Sequence, residues 1–253
     1  MKSGNMAKER LDKILLDRGL APSRERAKAL IMAGQVVVDD HLADKAGQMV
    51  SVDAEIRLKG EVLPFVSRGG LKLQKALDEF AIDVTGLVVM DVGASTGGFT
   101  DCLLQRGAAK VIAVDVGYGQ LAWKLRQDAR VVNLEKTNIR YLEPEKLEEV
   151  PQMAVIDASF ISLDKVLPPV LNLISPSAAV VALIKPQFEV GRGEVGKGGV
   201  VRDGRKHAEV IAAITAMALD LKLEVKGVTE SPIQGPKGNR EFLIYLAKPQ
   251  VHE

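Results

Sequence analysis

Leu87-Val88-Val89-Met90-Asp91-Val92-Gly93-Ala94-Ser95-Thr96-Gly97-Gly98-Phe99 decides the fold of this 253-residue chain. An apolar run breaks into an acid and then a loop of small residues, and a helical pattern follows at Cys102, Leu103 and Leu104. A second apolar run, Val111-Ile112-Ala113-Val114, ends in another acid, Asp115. Strand, glycine turn, helix, strand and acid is the frame of a nucleoside-cofactor site in an α/β domain. Its glycines let backbone approach a ligand, and its second acid can accept hydrogen bonds from a ribose diol.

Spacing narrows the cofactor. A dinucleotide fingerprint needs glycines in G-x-G-x-x-G order, with the pyrophosphate over a helix N-terminus. Here Ser95 stands two after Gly93, and the glycines come late, as Gly97-Gly98. An anionic Asp91 would repel a pyrophosphate and suits a cationic amino-acid end. S-adenosylmethionine has such an end, an ammonium beside a sulfonium, and a ribose diol for Asp115. An ordinary strand-turn-helix without a ligand is the alternative.

Composition allows this and excludes rivals. The length suits one large or two unequal domains, and 47% hydrophobic residues supply a sizeable core. Net charge is only +1, so any nucleic-acid binding must come from local clustering. The single cysteine, Cys102, excludes an internal disulfide and suits a reducing cytoplasm. No apolar run approaches the roughly 18 to 20 residues needed to span a bilayer. The N-terminus lacks an apolar signal core, and Met1-Lys2-Ser3-Gly4-Asn5 reads as a leader ahead of an alternative start at Met6.

Charge is uneven. Lys8, Arg10, Lys13, Arg18, Arg24, Arg26 and Lys28 crowd the N-terminal part, against Glu9, Asp12, Asp17 and Glu25. Leu11, Ile14 and Leu15 follow helical spacing, and Gly19 stops that helix. Ser23 is the expected N-cap of a second helix with Ala27, Leu30 and Ile31 inward, and Gly34 its stop. Val36–Val38 reads as a strand, Asp39-Asp40 as a turn, and the segments around Met49-Val50 and 55–58 as further strands. This α+β module spans residues 6–59, residues 60–65 form a linker, and residues 66–253 form the larger domain.

Arg10-Leu11-Asp12-Lys13-Ile14-Leu15 and Ser23 to Val38 closely resemble the RNA-binding module named after small-subunit ribosomal protein S-four, or αL motif. The resemblance covers about fifty residues. It implies docking on structured RNA, mainly through phosphates, with Arg10, Lys13, Arg24, Arg26 and Lys28 as contact candidates. Such contacts fix position with little base information and weaken steeply with salt.

Further strands are expected at Val131-Val132, Met153–Ile156, Ala178–Ile184, Leu223–Val228 and Phe242–Ala247, with helix around Leu163–Leu173. The βα alternation predicts a mostly parallel sheet, and the glycine/proline connection 231–239 permits an antiparallel return that makes it mixed. Asp157 and Lys185 fall at strand ends, where ligands of open α/β sheets sit. From those two residues alone, a structural salt bridge is an equal alternative.

Four stretches extend the argument: Ser67-Arg68-Gly69-Gly70-Leu71-Lys72-Leu73, Asp157-Ala158-Ser159-Phe160, Ile184-Lys185-Pro186-Gln187-Phe188-Glu189 and Gly238-Asn239-Arg240-Glu241-Phe242. They resemble the K-D-K-E tetrad regions of FtsJ-type ribose 2′-O-methyltransferases. With the αL module in front, residues 8–248 resemble the TlyA family. That resemblance implies a Rossmann-like domain that methylates cytidine 2′-oxygens of ribosomal RNA, free or in assembled ribosomal subunits, from S-adenosylmethionine. It implies a catalytic set of Lys72, Asp157, Lys185 and Glu241, and a cofactor set of Asp91, Gly93, Ser95, Gly97, Asp115 and Asp157. Lys185 is the candidate that removes the hydroxyl proton or holds the hydroxyl in line, and orientation with late proton transfer is the favoured reading. The chain lacks the extra C-terminal helix of longer family members, which points to the large subunit as substrate, with the small subunit still open.

Two alternatives from other classes are a membrane-active cytolysin, after the family's hemolysin name, and an RNA-binding protein with an inactive enzyme domain. Gly191–Gly198 nearly fits a phosphate-binding loop, but Gly198 replaces the required Ser/Thr, and a mobile loop over the substrate is expected instead. His41, His207 and His252 are scattered, so no metal is expected. Trp123 reads as a core residue of an amphipathic helix, with stacking on a base or adenine as the alternative, and it is kept off the site. No membrane association and no obligate protein partner are expected, and the place of action is the cytoplasm.

Overall fold

The computed structural model describes residues 8–249 except 40, 53, 55, 60–63, 192, 197, 236 and 237. The chain divides into two compact units, Met1–Leu63 and Pro64–Glu253.

The first unit runs β1 (Lys8–Arg10), α1 (Leu11–Asp17), α2 (Arg24–Met32), β2 (Val36–Val38), β3 (His41–Ala43), β4 (Met49–Ser51) and β5 (Ile56–Leu58). Ser23 caps α2, its Oγ accepting from the Arg26 N–H at 3.1 Å. Gly19 and Gly34 follow the two helices at positive φ. Leu11, Leu15, Ala27 and Ile31 bury the facing sides of α1 and α2 over Val36 and Val38. β1 and β3 were not anticipated; β1 pairs antiparallel with β4, and β3 with β2. Of the expected Asp39-Asp40 turn and the strand from 55, Asp40 and Glu55 lie outside the described residues.

The second unit runs α3 (Gly69–Glu79), β6 (Val88–Val92), α4 (Gly98–Gln105), β7 (Lys110–Val114), α5 (Trp123–Arg126), β8 (Val131–Leu134), β9 (Met153–Ile156), α6 (Leu163–Leu173), β10 (Ala179–Ile184), α7 (Pro186–Glu189), α8 (Gly204–Asp220), β11 (Glu224–Glu230) and β12 (Phe242–Ala247). Its seven-stranded sheet has the order β11-β12-β10-β9-β6-β7-β8. The five strands β8, β7, β6, β9 and β10 are parallel, while β12 runs antiparallel between β10 and β11. The mixed, mostly parallel α/β sheet expected from the sequence is present.

Alternation along each strand splits the core in two. Val88, Met90 and Val92 face the layer of α6 and α8, whereas Val89, Val111, Val155 and Leu183 face α3 and α4. Because both faces are covered, the strands read as unbroken apolar runs. Phe65, placed in the linker by the sequence reading, is buried in the α3 layer. A Cβ on Gly70 would lie 2.3 Å from its ring, so that aromatic seats the start of α3.

Candidate active site

At the carboxyl end of β6 the chain turns at Gly93, with φ +84. A Cβ there would stand 2.8 Å from the Asp157 carbonyl oxygen, so only glycine lets the β6 and β9 loops touch. The Asp157 N–H donates to the Val92 oxygen at 2.9 Å and the Gly93 N–H to the Val114 oxygen at 2.9 Å, fixing three strand ends together. Asp115 ends β7. Its Oδ2 accepts from the Ser95 N–H and its Oδ1 from the Gly117 N–H, each at 2.7 Å.

Two cavities open on this edge. One, of about 320 Å³, is lined by Ser67, Arg68, Lys72, Asp157, Lys185 and Glu241 among others. The second, of about 480 Å³, is lined by Asp115, Val116, Asn138, Ile139, Arg140 and Phe160 among others. Gly93, Ser95, Asp157 and Ser159 belong to both and form a common wall.

The four expected catalytic side chains converge in the first cavity. Lys185 Nζ lies 2.5 Å from Asp157 Oδ1 and donates to Ser159 Oγ at 2.8 Å. Lys72 Nζ lies 2.7 Å from Glu241 Oε2 and 3.8 Å from Asp157 Oδ2. Lys72, Lys185 and Glu241 are buried. Two ammoniums and two carboxylates sum to zero, which offsets the cost of taking each charge out of water. A Cβ on Gly235 would lie 2.0 Å from Glu241 Oε1, so the β11–β12 connection approaches this carboxylate as bare backbone. The salt bridge between Lys185 and Asp157 exists, and it sits in a solvent-reachable cavity.

The second cavity fits the nucleoside part of S-adenosylmethionine. Its volume is in the range of small-molecule sites, and its apolar walls carry a few polar groups. Each Asp115 oxygen holds one backbone N–H and keeps a lone pair for a diol.

Two members of the expected cofactor set line neither cavity. Asp91 is fully buried beneath the loop; its Oδ2 accepts from Thr100 Oγ1 at 2.6 Å, and its Oδ1 has no partner among the described residues. Burial pushes its carboxyl up to about 7, so Asp91 is not the full anion facing a ligand that its sequence position suggests. Gly97, at φ +92, begins α4, and a Cβ there would meet Leu125 at 2.2 Å; it seats the helix and does not face the ligand.

Other expectations are also revised. Trp123 is 68% exposed and so is not a core residue, because α5 is a single turn that cannot bury a full face. Among the described residues of segment 191–198 none lines either cavity; the Gly191 N–H donates to Glu194, and Gly196 bridges to Val200. His207 is buried with Nε2 at 2.9 Å from the Val201 oxygen, His41 is exposed, and His252 lies outside the described residues.

In the first unit, Arg10 and Arg24 share one buried carboxylate. Arg10 Nε lies 3.0 Å from Asp12 Oδ1 and Arg24 Nη2 3.1 Å from Asp12 Oδ2. Lys13 pairs with Glu9 at 2.5 Å, Arg26 is half-buried and Lys28 exposed. The sequence reading counted Asp12 only as an opposing charge.

Ser159 and Phe160 were passed over as site residues. Phe160 is 90% exposed at φ +64, a strained combination for an aromatic, and it borders the second cavity. Their only signal was their place directly after the strand-end acid.

Comparison with known proteins adds to this geometry. The pattern of the FtsJ-like methyltransferase family matches residues 65–248, and that of the S4 domain residues 9–56. The chain is 49% identical to the 16S/23S rRNA (cytidine-2′-O)-methyltransferase TlyA of Mycobacterium tuberculosis, covering 94% of this chain and 89% of that protein. A solved chain from Streptococcus thermophilus that bears a hemolysin name is 49% identical, with TM-score 0.75, over 97% of this chain and 90% of that one. A solved chain from Listeria monocytogenes assigned to the S-adenosylmethionine-dependent methyltransferases shares the fold at 16% identity and TM-score 0.54, over 73% of this chain and 100% of that one.

Proposed function

Because the chain belongs to the TlyA family of FtsJ-like methyltransferases and carries an S4 domain, we propose that it methylates the ribose 2′-oxygen of a cytidine in ribosomal RNA. The observation that carries this reading is the meeting of Lys72, Asp157, Lys185 and Glu241 in the first cavity, with Asp157 on the wall it shares with the second.

S-adenosylmethionine, when bound, supplies a methyl group on a sulfonium and leaves as a neutral thioether. The side chains then have two tasks, to hold the ribose hydroxyl in line and to manage one proton. Asp115 accepts from the ribose diol of the cofactor, while Gly93, Ser95 and Asp157 shape the wall toward the reacting hydroxyl. Lys185, held by Asp157 and Ser159, donates to that hydroxyl and aims a lone pair. Lys72, held by Glu241, does so from the other side. The proton leaves late: Lys185 takes it as one of its own ammonium protons passes to the Asp157 carboxylate beside it, and Asp157 releases that proton to water. Phe160 offers an exposed aromatic face to the target base at the cavity mouth. Asp91 and Gly97 act from beneath, by fixing the loop.

Arg10, Lys13, Arg24, Arg26 and Lys28 of the S4 domain grip rRNA phosphates, in free RNA or in an assembled subunit, and the work is placed in the cytoplasm with ribosomes. No helix among the described residues is long and apolar enough to cross a membrane. The test is transfer of labelled methyl from S-adenosylmethionine to both rRNAs and both subunits, followed by mapping of 2′-O-methyls. A cytidine 2′-oxygen is expected, with the large subunit as the favoured substrate. Transfer to a base atom, or to no RNA, overturns the reading.

A further inference from the structure

Ten aromatic side chains occur in the chain, six Phe, three Tyr and one Trp. Four are exposed: Tyr118 (71%), Trp123, Tyr141 (72%) and Phe160. All four follow the carboxyl ends of parallel strands, Tyr118 and Trp123 after β7, Tyr141 after β8 and Phe160 after β9. The other six are buried or half-buried. Exposing large aromatics forgoes their burial energy, so gathering them on the edge where ligands of this fold sit calls for a ligand.

Two of the four carry a cation. Lys136 Nζ stands 4.3 Å from the centre of the Tyr118 ring, and Arg140 Cζ 5.3 Å from that of Tyr141. The Lys136 N–H donates to the Gly117 oxygen at 2.9 Å, joining the loops after β7 and β8. Lys136 holds a left-handed φ of +53, a strained backbone for a lysine. A cavity of about 390 Å³ lies between Lys136, Tyr141, Leu134 and Lys146. It shares the lining residues Thr137 and Asn138 with the second cavity, so the two are neighbours. Lys146 pairs with Glu143 at 3.2 Å, whereas Lys136 and Arg140 face no carboxylate within ion-pair distance among the described residues.

We propose that the Tyr118–Lys136–Arg140–Tyr141 rim is a platform for single-stranded RNA, taking unpaired nucleotides that flank the methylated one. Aromatic faces accept any base by stacking, and interleaved cations follow the phosphates; that pairing selects unpaired nucleic acid over duplex and over protein. The inference rests on the RNA-methylating reading above and adds which rim the strand follows.

The test uses the full chain with Tyr118→Ala/Tyr141→Ala and, separately, Lys136→Ala, both at exposed sites that line no part of the cofactor or catalytic cavities. With an rRNA fragment as substrate, KM for RNA rises roughly tenfold in the tyrosine double variant, a few-fold in Lys136→Ala, and kcat stays within about twofold. Tyr118→Phe/Tyr141→Phe restores the wild-type KM, since stacking needs only the ring. Unchanged KM in the alanine variants of a chain that does methylate RNA overturns the platform and leaves the enzyme reading standing. A parallel loss of S-adenosylmethionine affinity by calorimetry also overturns it, by assigning the rim to the cofactor. If wild-type chain methylates no RNA, the enzyme reading fails, and anisotropy with an unpaired oligonucleotide decides the platform. Weaker binding by the alanine variants, and weaker binding of duplex by wild type, support it; equal binding in either comparison overturns it.

Discussion

Lys185 Nζ and Asp157 Oδ1 stand 2.5 Å apart, at the ends of the adjacent parallel strands β10 and β9. The pair is therefore set by sheet register, and Ser159 Oγ holds the same ammonium at 2.8 Å. Removing the amine takes away a positioned donor and proton acceptor without touching the S4 domain. Lys185→Ala is expected to lower kcat at least 100-fold, the scale of a lost acid–base group, while rRNA binding in a filter assay stays within about twofold. Methylation at a normal rate would remove Lys185 from the catalytic set.

Glu241 and Lys72 are buried together, so loss of Glu241 leaves the Lys72 ammonium with only the more distant Asp157 carboxylate at 3.8 Å. Glu241→Ala should cost about 3 to 5 kcal/mol of stability in urea unfolding, and Glu241→Ala/Lys72→Met should recover part of it while remaining inactive. A single variant as stable as wild type would mean that water reaches the pair freely.

Asp91 predicts a pH dependence of folding. Its carboxyl rises from 3.8 to about 7 through burial, so the folded chain holds a proton there that the unfolded chain has released. This group's contribution is full below pH 4 and is lost as pH climbs through about 7. Asp91→Asn keeps an acceptor for Thr100 and removes that slope. Relative to wild type, the variant should gain a few kcal/mol between pH 5 and pH 8, read from urea midpoints at each pH. Parallel stability curves for the two proteins would refute the buried-acid assignment.

Asp12 gives a result opposite to simple charge counting. Removing an acid from among phosphate-binding arginines ought to tighten binding, but this buried acid holds Arg10 and Arg24 in one fork. Asp12→Asn is expected to weaken rRNA binding about three- to tenfold at physiological salt, as pre-organisation of the phosphate contacts is lost. Arg24→Ala/Lys28→Ala should weaken rRNA binding and spare cofactor affinity by calorimetry. Equal loss of both would assign those residues to the fold.

Phe160 is held at φ +64 with its ring in solvent. Phe160→Gly relieves left-handed strain of about 1 kcal/mol, offset partly by unfolded-chain entropy, so Tm should hold or rise slightly. Methylation should fall roughly tenfold with the loss of the aromatic face. Full activity in that variant would make the exposed ring incidental.

The sequence made the second unit's architecture legible because both faces of its sheet are covered, which leaves unbroken apolar runs such as Ala179–Ile184 ending in a charge. Lys72, Asp157, Lys185 and Glu241 were readable for the same reason, since each adjoins an element with a clear signature. Which side of the glycine loop a residue faces was not readable: Asp91 and Gly97 flank that loop yet point into the protein. Periodicity also fails in elements of three or four residues, which hid β1 and β3 and made Trp123 look buried. Asp12 was hidden by arithmetic, because a sum of charges does not say which acid organises which base.

β12, the last strand of the sheet in chain order, is threaded between β10 and β11 and begins one residue after Glu241. During synthesis, a nascent chain that has not released residues 241–247 from the exit tunnel has a split sheet and a Lys72 without its nearer carboxylate. Such a fragment can already present the S4 domain to RNA, yet it holds only three of the four charges. Catalytic competence thus arrives in one step, with the strand that closes the fold.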